Sequence, residues 1–170
     1  MKRVITILGL VCFVVMLACQ PEEPGVKYTS TFPLNGEWAV VYRIESSPGI
    51  FEDQSGYTGL TISNTASDKG DSIWMSDDGN FWDFKVKAAA RAKTKSFSSE
   101  GSKNMVAGYG INVIVTDGKV ILDAVVTKAA KTVTDSIYMK LEFEDDPGVI
   151  YHCSGVRRTG FLEDDEYYGF

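Results

Sequence analysis

An all-β fold is what this 170-residue sequence predicts, and within that class a closed or nearly closed antiparallel up-and-down β-barrel. Three observations carry the prediction. Apolar residues recur with period two along most of the chain, short turn signals separate the alternating runs, and no stretch shows a helical period of adequate length.

Taken in order, Trp38, Val40, Tyr42 and Ile44 share one face of the first run, followed by Leu60 and Ile62, then Ile73 and Met75. Successive side chains on a strand point to opposite faces, so each set would line one side of a sheet. Tyr109, Ile111, Val113 and Val115 form a further apolar face, and Val120, Leu122, Ala124 and Val126 the next. Thr116-Asp117-Gly118-Lys119 stands between those two runs as a two-residue hairpin signal, because Gly118 accepts the positive φ that a type I′ turn requires. Ile137, Met139, Leu141 and Phe143 alternate with Tyr138, Lys140, Glu142 and Glu144. Pro147-Gly148 then turns the chain into a last strand that starts at Val149. Eight to ten strands of this spacing suit a closed barrel or a sandwich, and closure removes the sheet edges that would otherwise need blunting.

Residues 85–95 demand a choice. Lys85, Lys87, Arg91, Lys93 and Lys95 scatter around the whole cylinder at 100° per residue, but all fall on one side at 180°. Strand is therefore expected over helix, despite the alanines, with a bend or odd-length turn near Ala89. Its basic side is either a solvated outer face or a positive strip toward lipid head groups or an anionic ligand. The alanine-lined inner side leaves room in the interior.

At the N-terminus, Lys2 and Arg3 precede an apolar run from Val4 to Leu17. A run of about 14 residues is short for roughly 30 Å of hydrocarbon and reads as the core of an export signal. Met16-Leu17-Ala18-Cys19 resembles the lipobox of bacterial lipoproteins, with Met16 where leucine is commoner. The resemblance implies a removable signal over residues 1–18 and a diacylglycerol on the Cys19 thiol. Residues 19–30, with Gln20-Pro21-Glu22-Glu23-Pro24-Gly25, then form a flexible tether to one domain over 31–170. The acidic residues behind Cys19 are similar to the export signal of Bacteroidetes surface lipoproteins. Gln20 in second place is similar to proteins sorted to the outer membrane, facing the periplasm or the cell surface.

Removing Lys2 and Arg3 from the 17 basic residues leaves 15 against 23 acidic ones, so the net charge moves from −6 to −8. That balance argues against a nucleic-acid partner, which needs clustered positive charge. Of the three cysteines, Cys12 departs with the signal and Cys19 is acylated. Cys153 is left unpaired in a strand-like segment, where it reads as a small buried hydrophobe.

Gly36-Glu37-Trp38 after Phe32-Pro33-Leu34-Asn35 resembles the Gly-x-Trp of lipocalins and related barrels, in which the tryptophan plugs the closed end. An arginine late in the last strand covers that tryptophan in those proteins, and Arg157 or Arg158 stands at the matching place. A guanidinium over an indole gains cation–π energy while its donors tie down carbonyls. The chain, and its ending Ser154-Gly155-Val156-Arg157-Arg158-Thr159-Gly160-Phe161 above all, also resembles the lipocalin-like Bacteroidetes lipoproteins grouped as lipid-binding putative hydrolases. That resemblance implies a small hydrophobic ligand and a hydrolytic activity, but brings no catalytic motif to carry over.

Chemistry is sparse. The single histidine, His152, neighbours Cys153, yet strand neighbours face opposite ways and would not form a thiol–imidazole dyad. His152 and Ser154 share a face with Cβ atoms about 6.5–7 Å apart, long for a nucleophile–base bond; they are the weak catalytic candidates, with a distant carboxylate such as Asp123 as third partner. No Gly-x-Ser-x-Gly elbow occurs. One histidine and one available cysteine make no zinc shell, and Asp77-Asp78-Gly79-Asn80 reads as a turn and not a calcium loop. Glu163-Asp164-Asp165-Glu166 reads as a solvated acidic tail. No metal and no cofactor is expected.

The aromatics Trp38, Tyr42, Trp74, Phe81, Trp82, Phe84 and Tyr109 are numerous for a small domain. They either fill the core or line a ligand cavity, for which Trp38, Tyr42, Trp82 and Tyr109 are the candidates. Three functions follow: a membrane-anchored barrel holding a lipid or other small hydrophobe; a lipid or ester hydrolase with His152 as base; or a structural or assembly component of an envelope complex.

Overall fold

The computed structural model describes residues 25–170, so the signal segment and Cys19 lie outside the described residues. Among the described residues nine strands and one helix follow in chain order: β1 (Gly36–Ser47), β2 (Ile50–Asp53), β3 (Thr58–Asn64), β4 (Ser72–Ser76), β5 (Lys85–Arg91), β6 (Ser96–Lys103), β7 (Asn112–Val126), β8 (Val133–Phe143), β9 (Tyr151–Arg157) and α1 (Leu162–Tyr168). β1 and β3 through β9 form a closed eight-stranded antiparallel barrel, in which β9 returns to pair with β1 from Trp38↔Arg157 to Ile44↔Tyr151. β2 pairs only with the far part of β1, Arg43 to Ser47. The predicted all-β barrel is the observed fold.

The alternation explains the wall. Trp38, Val40 and Tyr42 on β1, Val86, Ala88 and Ala90 on β5, and Ile137, Met139, Leu141 and Phe143 on β8 all enter one buried cluster. On β5 the lysines face out as expected, but the strand runs straight through Ala89 and stops at Arg91. Lys93 and Lys95 belong to a turn, where Lys95 adopts φ 52° and its N–H donates to the Ala92 carbonyl at 3.2 Å.

The reading of β7 is corrected first. Thr116-Asp117-Gly118-Lys119 is not a hairpin: β7 is one continuous strand, and the register against β8 slips between Thr116 and Lys119. The positive φ sits on Asp117 at 55°, which makes a bulge. Gly118 is needed for a different reason, since a Cβ there would collide with the ring and carbonyl of Phe97 on β6. A turn would have ended the strand, whereas here both halves find partners on the same neighbours, so the chain goes straight on. The face predicted for 120–126 is likewise open beyond Val120: Leu122 and Val126 are exposed, because this end of β7 pairs with β8 past the start of β6.

The second correction concerns the acidic tail, which is helix α1. Asp164 is only 2% exposed. Its carboxylate accepts from the Ala130 N–H and the Thr159 hydroxyl, both at 2.9 Å. Burial pushes its pKa up, but these donors outweigh burial and hold it below the usual carboxylate value. Asp165 takes two bonds from Arg158, and Tyr168 packs against Ala39, Val156 and Val125 on the outer wall. Seven residues are too few for a helical period to show; tertiary contacts hold this helix, not propensity.

The barrel has two dissimilar ends. At the entry end, where the described chain arrives, Leu34 and Trp38 are fully buried below the turn over Thr31–Asn35. At the other, the loop end, lie residues 77–84, 104–111 and 144–150.

Candidate ligand site at the loop end

The 77–84 loop is folded around one carboxylate. Asp77 is fully buried. Its Oδ2 accepts the N–H groups of Phe81 at 3.0 Å and Trp82 at 2.7 Å, while Oδ1 accepts that of Phe84 at 2.9 Å. Buried backbone donors need partners, and an ionised acceptor makes the stronger bonds. The result fixes a tight lobe that lays two aromatic rings over the barrel mouth.

Phe81 stacks on Tyr42 with centroids 4.1 Å apart, and Trp82 stacks on Phe143 at 4.6 Å. Tyr151 meets Phe81 edge-on at 5.4 Å. Asp145 gathers the rim: the Trp82 indole donates to it at 3.2 Å, and the Tyr109 hydroxyl donates to its other oxygen. That bond from Tyr109 holds the Asp145 carboxyl below its ordinary range and raises the phenol. Gly79, Phe81, Trp82, Asp83 and Tyr109 line an open cleft of about 440 Å³. A second cleft of about 320 Å³ lies between Ile44 and Glu45 on one side and Val149, Ile150 and His152 on the other.

Phe81 covers the Tyr42 ring, whose hydroxyl is buried without a conventional hydrogen-bond partner and has the weakly bonding Cys153 thiol as its polar neighbour. Burial pushes its pKa well up, with Cys153 and Asp77 adding to the effect. Cys153, its register partner on β9, is also fully buried, and burial raises that thiol strongly. A thiol is a weak partner, so this buried hydroxyl keeps most of its hydrogen-bonding capacity unused.

The sequence-predicted residues divide between three places. Tyr42, Trp82 and Tyr109 meet at the loop end, with Tyr42 inside and the other two on the rim. Trp38 lies in the core at the opposite end, under Arg157. Gly36 abuts that arginine. Arg158 turns outward, pairing with Glu37 at 2.7 Å and with Asp165 at 2.8 Å. His152 and Ser154 are on the outer wall: the Tyr138 hydroxyl meets His152 Nδ1 at 2.8 Å, and Arg43 donates to Ser154 Oγ at 2.8 Å. Tyr138 and Arg43, rather than each other, are thus their partners. Asp123 sits at an irregularity on the exposed part of β7. Phe81, Asp77 and Asp145 were not singled out by the sequence as site residues, although Asp77 heads the predicted turn.

Over residues 23–162 the chain matches the family described as lipid-binding putative hydrolase. No curated protein matches the chain.

Proposed function

The chain belongs to the lipid-binding putative hydrolase family, and from that membership we propose that it is a lipoprotein of the lipocalin-like Bacteroidetes type, anchored to the outer membrane through Cys19. Its barrel takes up one lipid-like hydrophobe at the loop end. The observation that carries the reading is the stack of Phe81 on Tyr42, whose buried hydroxyl has only the weak Cys153 thiol beside it. When the 77–84 lobe lifts, an acyl chain or similar apolar body replaces the rings of Phe81 and Trp82, and a polar atom on it satisfies Tyr42. Apolar walls with one or two placed polar groups are the usual design of such sites.

Titration of the full chain with a fluorescent fatty acid tests this. Phe81→Ala speeds uptake severalfold by removing the plug, and Tyr42→Phe weakens binding about threefold to tenfold, the worth of one hydrogen bond. Absence of saturable binding in wild type and Phe81→Ala alike overturns the proposal. Metabolic labelling with a tagged fatty acid, lost in Cys19→Ala, tests the anchor separately.

A further inference from the structure

The charges carried by the connecting turns are distributed unevenly along the barrel axis. Each of the three turns that join strands in pairs at the entry end carries lysine: Lys69 between β3 and β4, Lys93 and Lys95 between β5 and β6, and Lys128 and Lys131 between β7 and β8. The acids of the first turn are engaged, Asp68 with the Ser30 N–H and Asp71 with the Ser72 hydroxyl, each at 2.8 Å. Acids share this end: Asp135 pairs with Arg157, Glu37 and Asp165 pair with Arg158, Asp164 accepts from Ala130 of the β7–β8 turn, and Glu163 and Glu166 stand with them on α1. At the loop end the balance reverses, with Asp77, Asp78 and Asp83 between β4 and β5 and Glu144, Asp145 and Asp146 between β8 and β9.

Two further features share the entry end. Lys69, Arg91 and Lys93 converge with Ser30 on a cleft of about 480 Å³. Among the described residues none of these three cations forms an ion pair. The part of the β7–β8 ribbon that extends past β6 exposes Ile121, Leu122, Val126 and Val133, each at least 44%.

We infer that the entry end is a docking face for a bilayer containing anionic phospholipids, with a lipid phosphate in the Lys69–Arg91–Lys93 cleft and the apolar ribbon side chains at the interface. The inference rests on the anchored reading above. Ser30 lines the cleft and stands eleven positions after Cys19 in the sequence. Eleven residues reach at most about 40 Å, so an anchor at Cys19 holds this end near the head groups. A chain of net charge −8 is repelled by an anionic surface unless its lysine-bearing turns lead, and each unpaired basic side chain near that surface contributes about a factor of five. Arg91 brings the forked donor geometry that suits a phosphate. Docked in this way, the barrel presents its loop end, and the mouth beneath Phe81, away from the membrane.

The full chain, carrying one fluorophore at Ala66→Cys on the entry end or at Met105→Cys on the loop end, is placed on vesicles containing a head-group quencher lipid. Cys153 is buried and escapes labelling, and an acylated Cys19 offers no thiol. Where Cys19 carries no acyl chain, Cys12 and Cys19 are replaced by alanine, so that each protein holds one label. On phosphatidylglycerol-containing vesicles the Ala66 label is quenched severalfold more than the Met105 label. The ratio falls toward one on phosphatidylcholine alone, in high salt, and in the triple variant Lys69→Glu, Arg91→Glu, Lys93→Glu; the milder Lys69→Gln, Lys93→Gln shows part of that fall. Equal quenching of the two labels on vesicle-bound wild type overturns the inference. The anchor is read separately as acyl mass on Cys19: its absence overturns the anchored reading alone. Docking is then judged by salt-sensitive vesicle binding with the same label preference, whose absence overturns it.

Discussion

The guanidinium carbon of Arg157 lies 4.3 Å from the centre of the Trp38 ring, and the two residues face each other in the register of β1 and β9. The same side chain donates to Asp135 at 2.8 Å and to the carbonyls of Pro33 and Asn35. One residue therefore covers the core tryptophan, neutralises a half-buried acid and ties the incoming chain to the barrel wall.

Arg157→Ala removes all of these at once and leaves Asp135 without its partner. It is expected to lower unfolding free energy by about 3 kcal/mol. Arg157→Lys keeps the charge but not the fork, and recovers less than half. Urea denaturation followed by tryptophan fluorescence measures both.

Gly155 faces Val40 across the seam that closes the barrel. An added methyl would stand 2.7 Å from the Val40 Cα and run into the Ala39 carbonyl, both backbone and unable to retreat. Gly155→Ala should cost about 2–3 kcal/mol and lower the Tm by roughly 10 °C in calorimetry.

Asp77→Ala orphans the N–H groups of Phe81, Trp82 and Phe84 and should destabilise by about 3 kcal/mol. Asp77→Asn retains the shape with a single accepting oxygen, and its effect falls between. In hydrogen exchange the amides of 81–84 lose protection in both variants, while those of β9 change little.

His152 sits against Phe51 with ring centroids 4.8 Å apart. Burial, then the charge of Lys140, holds its pKa below 6.5. The native state thus binds this proton less readily than the unfolded state does. The associated stability is present above about pH 6.5 and is lost as pH falls through the native value. Urea midpoints at about pH 7.5 and about pH 5 should separate more for wild type than for His152→Gln; an equal separation refutes it.

Much of the barrel was legible because alternation is a local property. Val86, Ala88 and Ala90 point inward and Lys85, Lys87 and Arg91 outward wherever the strand is placed, since the pleat imposes period two. β6 was hidden for the complementary reason: Ser96-Phe97-Ser98-Ser99-Glu100-Gly101 has little apolar contrast to read, though Phe97 and Ser99 are buried. Of the candidate site, the aromatic types Tyr42, Trp82 and Tyr109 were visible, but not that Phe81 plugs the mouth.

By itself, then, the sequence determined which residues face the core along each regular strand, the Gly36-Glu37-Trp38 opening, and an excess of acid over base. The tertiary structure alone decided whether Asp117-Gly118 turns the chain or bulges it. That depends on whether β6 and β8 offer partners to both halves of β7, and those strands are supplied by distant sequence. It also decided that an acidic run becomes a docked helix, because Ala130, Thr159 and Arg158 bring donors to Asp164 and Asp165. Charge sign is written in the sequence, but the gathering of the turn lysines at the entry end and of the 77–84 and 144–150 acids at the loop end arises only when antiparallel pairing sends alternate turns to opposite ends of one barrel.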